Sequence, residues 1–291
     1  MTKSPVCLLN TRPAHQSAAL QSLLSEKGFQ SFACPTIKIG LNALSCVQAK
    51  KLNSLVSAQE FDLLIITSVN ALIGWVNQFP EHFVAHPSNW PHDTGRLRFE
   101  LNGIRLKHLV SIPVFTIGEA TANAAKSLGF AVQTLSRKQF DSEDLLAQLQ
   151  ATQASVFAKP CLQVALLSGV GGRSVIKTQL TNAGAKVTEF EVYRRQPTAF
   201  CTQVWQDFIQ CDRPVILVSS LESWQRLWKM LCEYDSSYAA FNSKSWQSIE
   251  ALVVFSSRIQ NALQQQGVPR QKIHVTPIQS NDGIVQVLAN L

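Results

Sequence analysis

A chain of 291 residues, 46% hydrophobic and only 15% charged, excludes a disordered polymer and is long enough for two domains of roughly 100 to 200 residues each. Twenty-six Lys and Arg against nineteen Asp and Glu give a net charge of +7, which favours anionic partners, yet no basic run is long enough for a nucleic-acid arm. Scattered positive charge of this kind suits a small polyanion.

The first apolar run, "VCLLN" (6–10), is too short for a signal-peptide core or a membrane span, so a cytoplasmic protein is expected. It opens a series of candidate central strands: "LLIIT" (63–67), "PVFTI" (113–117), "VALLS" (164–168), "VILVS" (215–219) and "ALVVF" (251–255). Each is followed by a helical pattern. Continuous apolar strands alternating with helices predict an α/β architecture with parallel sheets covered on both faces. Two segments differ. "TIKI" (36–39) and "EFEVY" (189–193) alternate apolar with polar residues, which predicts strands with one wet face and a two-stranded ladder joining two lobes.

The turns after the strands carry the chemistry-bearing residues. "NTRPAH" (10–15) places Arg12 at the mouth of a helix, where free N–H groups, the helix dipole and a guanidinium fork suit a carboxylate or phosphate. "TSVNA" (67–71) places Ser68 and Asn70, and "IGEATA" (117–122) places Thr121, at equivalent helix starts. A side chain there can meet a ligand or cap its own helix, and both roles are open. Between these turns Pro80–Ser111 carries Arg96, Arg98, Arg105, Lys107 and His108, a basic lid or an elaborated surface loop. His82 and His86 lack a third ligand at metal spacing, and Pro80, Pro87 and Pro91 interrupt any helix there, so no metal is expected.

"LLSGVGGRS" (166–174) has the look of a phosphate loop but fails as one. Counting from Gly169, the third glycine of G-x-G-x-x-G is replaced by Ser174, and no Gly-Lys-Ser/Thr occurs. Gly171 and Gly172 still permit close approach of backbone to a ligand, and Arg173 either offers a guanidinium or merely starts a helix. "VSS" (218–220) adds Ser219 and Ser220, and "FSSRIQ" (255–260) adds Arg258, a carboxylate partner or an exposed side chain. Trp224 and Trp228, four apart, read as core. The seven cysteines, from Cys7 to Cys232, read as reduced thiols, mostly interior.

The halves of the chain repeat one another. "LLNTRPAHQSAALQSLLSEKGF" pairs with "LLSGVGGRSVIKTQLTNAGA", "FDLLIITSVNALIGWV" with "RPVILVSSLESWQRLW", and "VFTIGEATANAAKSLGF" with "VVFSSRIQNALQQQGV". Three units in the same order argue for an internal duplication. Gly28, Gly129, Gly184 and Gly267 each close a helix before a strand, where a positive φ lets the chain reverse.

"TRP", "TSVNA", "IGEATA", "GGR", "VYRR" and "VSS", in this order over nearly the whole chain, resemble the uroporphyrinogen-III synthase family. The resemblance implies two flavodoxin-like α/β lobes joined by the ladder. One lobe would be discontinuous, from 1–35 plus 198–291, the other would span 40–190, and 36–39 with 189–197 would connect them. It implies closure of hydroxymethylbilane, a linear tetrapyrrole with eight carboxylates, to uroporphyrinogen III with ring D inverted and water lost. No cofactor, metal, membrane or nucleic acid would take part, and the protein would act as a monomer, with transient contact to the enzyme that supplies its substrate. Tyr193 of "VYRR" corresponds to the tyrosine implicated as proton donor in the family, and a phenol holds its proton at neutral pH. A packing role at the hinge is the alternative. Because the substrate closes unaided to the wrong isomer, holding one folded conformer should matter more than a strong acid or base. The competing readings are a two-lobed binding protein that kept the fold without the chemistry, and a two-domain glycosyltransferase, against which the failed nucleotide motifs count.

Overall fold

The structure is a computed structural model that describes residues 5–57, 60–78, 112–127, 130–133, 159, 161–172 and 174–291. The basic insertion 80–111 with its four histidines, Gly129 and Arg173 lie outside the described residues. The chain divides into two units, Met1–Lys38 with Gln196–Leu291, and Ile39–Arg195.

The first unit holds a five-stranded parallel sheet. β1 (Cys7–Asn10) lies between β2 (Gln30–Ala33) and β9 (Pro214–Val218), and β10 (Ala251–Val254) and β11 (Ile273–Val275) complete it beyond β9. Every residue of β1, β9 and β10 is buried, as the unbroken apolar runs require of strands covered on both faces. Alternate residues serve opposite cores. Leu9, Ile216, Val218 and Leu252 pack with Trp205 of α6 (Thr202–Ile209) and with Trp224 and Leu227 of α7 (Leu221–Tyr234). Leu8, Val215, Leu217 and Val253 pack instead with Leu20 and Leu24 of α1 (Ala18–Glu26) and with Ile284 and Leu288 of α10 (Asn281–Asn290). Burying each such leucine fully stabilises the fold by about 1.5–3 kcal/mol.

The second unit's sheet runs β3-β8-β7-β4-β5-β6, with β3 Ile37–Leu41, β4 Leu63–Ile66, β5 Val114–Thr116, β6 Val132–Gln133, β7 Gln163–Gly169 and β8 Lys186–Pro197. From β8 to β6 this is the order of the first sheet, with β7 and β8 standing where β1 and β2 stand. The repeat in the sequence therefore crosses the units: β1 and β2 belong to one, while the strands that follow them in the same half belong to the other. Helix α3 (Val69–Val76) covers one face through Leu72 and Trp75, and α5 (Val175–Asn182) covers the other through Ile176 and Leu180. α2 (Cys46–Ser57) and α4 (Glu119–Ser127) complete this unit, and α8 (Lys244–Gln247) and α9 (Ser257–Gln265) the first.

The unit boundaries fall within β3 and β8, the two segments whose alternation predicted a ladder. β8 is longer than a ladder needs: its first half is an inner strand paired in parallel with β7. Gly28, Gly184 and Gly267 take φ of 77°, 88° and 97°, as helix-closing glycines must. The cysteines depart from expectation. Cys7 and Cys34 are buried, but Cys46, which starts α2, and Cys161, in a turn with φ 58°, are exposed. No helix among the described residues is long and apolar enough to cross a membrane.

Candidate active site

Tyr193 is 2% exposed, and its place follows from an irregularity in β8. β7 and β8 pair as Ser168↔Glu191 and then Gly169↔Tyr193, so β8 carries one extra residue at Val192, a β-bulge. Strict alternation would send Tyr193 after Glu189 and Glu191 toward α5. The bulge instead puts it in the cluster of Phe190 and Val192, on the face of α3. There Tyr193 Oη accepts a hydrogen bond from Ser68 Oγ at 3.3 Å and another from Arg195 Nη2 at 3.0 Å. Ser68 is the N-cap of α3 and its oxygen accepts from Ala71 N–H at 3.1 Å. One hydroxyl thus caps α3 and touches Tyr193.

Gly169 lies under the ring. A Cβ there would stand 2.4 Å from Tyr193 Cζ, a distance no packed carbon tolerates. Gly169→Ala is therefore expected to lose about 1–3 kcal/mol of stability and to move the phenol off Ser68 and Arg195. Chemical denaturation together with a turnover assay checks both, and an alanine variant with wild-type turnover would show that the ring's seat is immaterial.

Gly171 and Gly172 are exposed in the turn after β7, with Gly171 at φ 69°. The Gly171 N–H is directed to Glu191 Oε1 at 3.2 Å, so a carboxylate of the chain itself sits where a ligand carboxylate was expected. Glu189 accepts from Ser168 Oγ at 2.7 Å and pairs with Lys177 at 3.2 Å. Asn70 and Thr121 are buried in the first turns of α3 and α4.

In the first unit the corresponding feature is Arg12, directly after β1. It is 8% exposed, Nη1 donates to Asn281 Oδ1 at 2.8 Å, and its guanidinium lies 4.8 Å from the centre of the Phe255 ring. Among the described residues no carboxylate pairs with it. Burial pushes its proton affinity down to about 10, still far above neutrality, so Arg12 remains a cation in the interior. Thr11 and Arg12 follow β1, and Ser219 follows β9, its neighbour in the sheet. That is where the strand order reverses, the usual ligand position of a doubly wound sheet. Ser220 caps α7 in a reciprocal pair with Ser223, and Arg258 is exposed in the first turn of α9.

Arg195, Glu191, Asn281 and Phe255 are site neighbours that sequence reasoning did not single out. Arg195 had a signal: it stands two residues from Tyr193, hence on the same strand face. Among the described residues no three His, Cys, Asp or Glu side chains could hold a metal ion.

Residues 18–282 match the family model described as HEM4, uroporphyrinogen-III synthase HemD. A uroporphyrinogen-III synthase of Proteus mirabilis is 28% identical over 190 residues, 65% of this chain and 79% of that protein. In fold, the chain is similar to a uroporphyrinogen-III synthetase from Helicobacter pylori, with TM-score 0.56, 13% identity, and 98% and 99% of the two chains covered. A mutant uroporphyrinogen III synthase from Thermus thermophilus is similar at TM-score 0.54, 14% identity and the same coverage.

Proposed function

The chain belongs to the uroporphyrinogen-III synthase family, and from that premise we propose that it cyclises hydroxymethylbilane to uroporphyrinogen III, as a lyase that needs no cofactor. Tyr193 carries the reading. Its phenol lies on β8 opposite Gly169, the carboxyl end of β7, with two donors already directed to its oxygen.

Loss of the terminal hydroxyl requires a proton. In the proposed step the O–H bond of Tyr193 breaks as the substrate's C–O bond breaks. The oxygen leaves with the bonding pair and the proton as water, a cationic methylene remains on the tetrapyrrole, and the negative charge rests on Tyr193 Oη. Ring closure at that methylene later releases a proton from the pyrrole carbon, which restores the phenol. Net charge and atoms balance without an oxidant. The protein's larger task is orientation, because the free substrate closes faster than it inverts ring D. Arg12, Ser219, Ser220 and Arg258, and separately Ser68, Asn70 and Thr121, are proposed to hold carboxylates of the substrate. Arg12 is the best placed of these, since a buried cation with no carboxylate partner among the described residues gains most from an anionic ligand.

The test is product identity. Hydroxymethylbilane generated in situ should be converted by the purified protein, with chelator present, to the type III isomer, resolved by chromatography after oxidation. Type I alone would leave a two-lobed binding protein that kept the fold without the chemistry.

A further inference from the structure

We propose that Arg195 is a positioning residue for the proton donor: it orients the Tyr193 phenol and takes up the negative charge left on its oxygen. This rests on the proposed cyclisation, and its argument is the geometry around one atom. A phenol oxygen has one proton to give and limited capacity to accept. Tyr193 Oη already accepts from Ser68 Oγ at 3.3 Å and from Arg195 Nη2 at 3.0 Å. With its acceptor side filled, the hydroxyl hydrogen is the remaining polar part of the side chain and must be directed to something else. The same arrangement suits the phenolate better than the phenol, because charge-assisted bonds to an anion are about twice as strong as neutral ones.

Further contacts reinforce this. The Arg195 guanidinium also lies 5.4 Å from the centre of the Tyr193 ring, while Gly169 closes in on the same ring. Ser68 Oγ accepts from the Ala71 N–H in the first turn of α3, so a chain of donors runs from the helix start to Tyr193 Oη. Such chains polarise in one direction, and here every link points its hydrogen toward the oxygen that would become negative. Arg194, the neighbour in sequence, does not share this role: it is exposed and donates to Leu41 O at 3.4 Å.

The experiment compares wild type, Arg195→Lys, Arg195→Gln and Arg195→Ala in the isomer-resolved assay, each with its melting temperature. On removal of the guanidinium, kcat is expected to fall about tenfold with KM changed less than twofold. Arg195→Lys should recover part of the rate. Guanidinium chloride at millimolar concentration, far below denaturing levels, should restore Arg195→Ala but not Tyr193→Phe. Should alanine disturb folding, glutamine, which keeps a donor without charge, supplies the comparison. Wild-type kcat in folded Arg195→Gln, or a loss appearing only in KM, would overturn the proposal while leaving the cyclase reading intact. Absence of type III product from the wild type would overturn both.

Discussion

Tyr193→Phe should lower turnover by about 100-fold or more, the usual worth of a positioned proton donor, while the type III fraction of what is still formed falls toward the spontaneous product. The variant keeps the ring seated over Gly169 and removes one oxygen, so packing is preserved. What it leaves behind is the donor pair of Ser68 and Arg195, now directed at carbon. Both are only part-buried and can turn to water, so the expected stability loss is small, about 1 kcal/mol. A single-turnover measurement separates the bond-breaking step from product release. Unchanged turnover in a folded Tyr193→Phe protein would remove the proton-donor role and return Tyr193 to the core.

Arg12→Met should separate affinity from stability in the opposite sense. A buried guanidinium with no carboxylate partner among the described residues costs solvation free energy that one amide partner and one aromatic ring offset only in part. Methionine keeps an unbranched apolar stem and discards the guanidinium with its charge. The melting temperature should hold or rise, while KM for the polycarboxylate rises about 10- to 100-fold, the worth of one charge-assisted hydrogen bond at about 1.5–3 kcal/mol. Arg12→Lys should fall between, because an ammonium keeps charge but not the fork. A large drop in melting temperature with KM unchanged would mark Arg12 as a structural strut.

The central strands were legible because parallel strands buried on both faces leave unbroken runs such as "LLII" and "VILV", and the turn glycines were legible because positive φ selects for them. Arg12 could be placed at a helix mouth from sequence, but not its burial, which depends on Phe255 and Asn281 far along the chain. Tyr193 and Ser68 could each be singled out, but not their contact, nor the part of Arg195 beside them. The bulge at Val192 breaks the two-residue alternation on which a strand reading rests, and without it Tyr193 would be placed on the side of Glu189 and Glu191. The glycine turn shows the opposite failure. Its glycines promised an open anion site, and no periodicity indicates that Glu191 already supplies the carboxylate.

The crossing of the repeat also has a consequence in time. On the ribosome, β1 and β2 emerge first, yet β9, the strand that must lie against β1, follows only after all of Ile39–Arg195, roughly 160 residues, has been made. At synthesis rates of about 5–20 residues per second, Leu8 and Leu9 wait roughly 10–40 s for a partner. The second unit, contiguous in the chain, can close during that interval. The nascent protein therefore carries a finished domain and a parallel β1–β2 pair whose apolar β1 still lacks its β9 neighbour, which is the stage at which chaperone dependence and aggregation of this chain should be greatest.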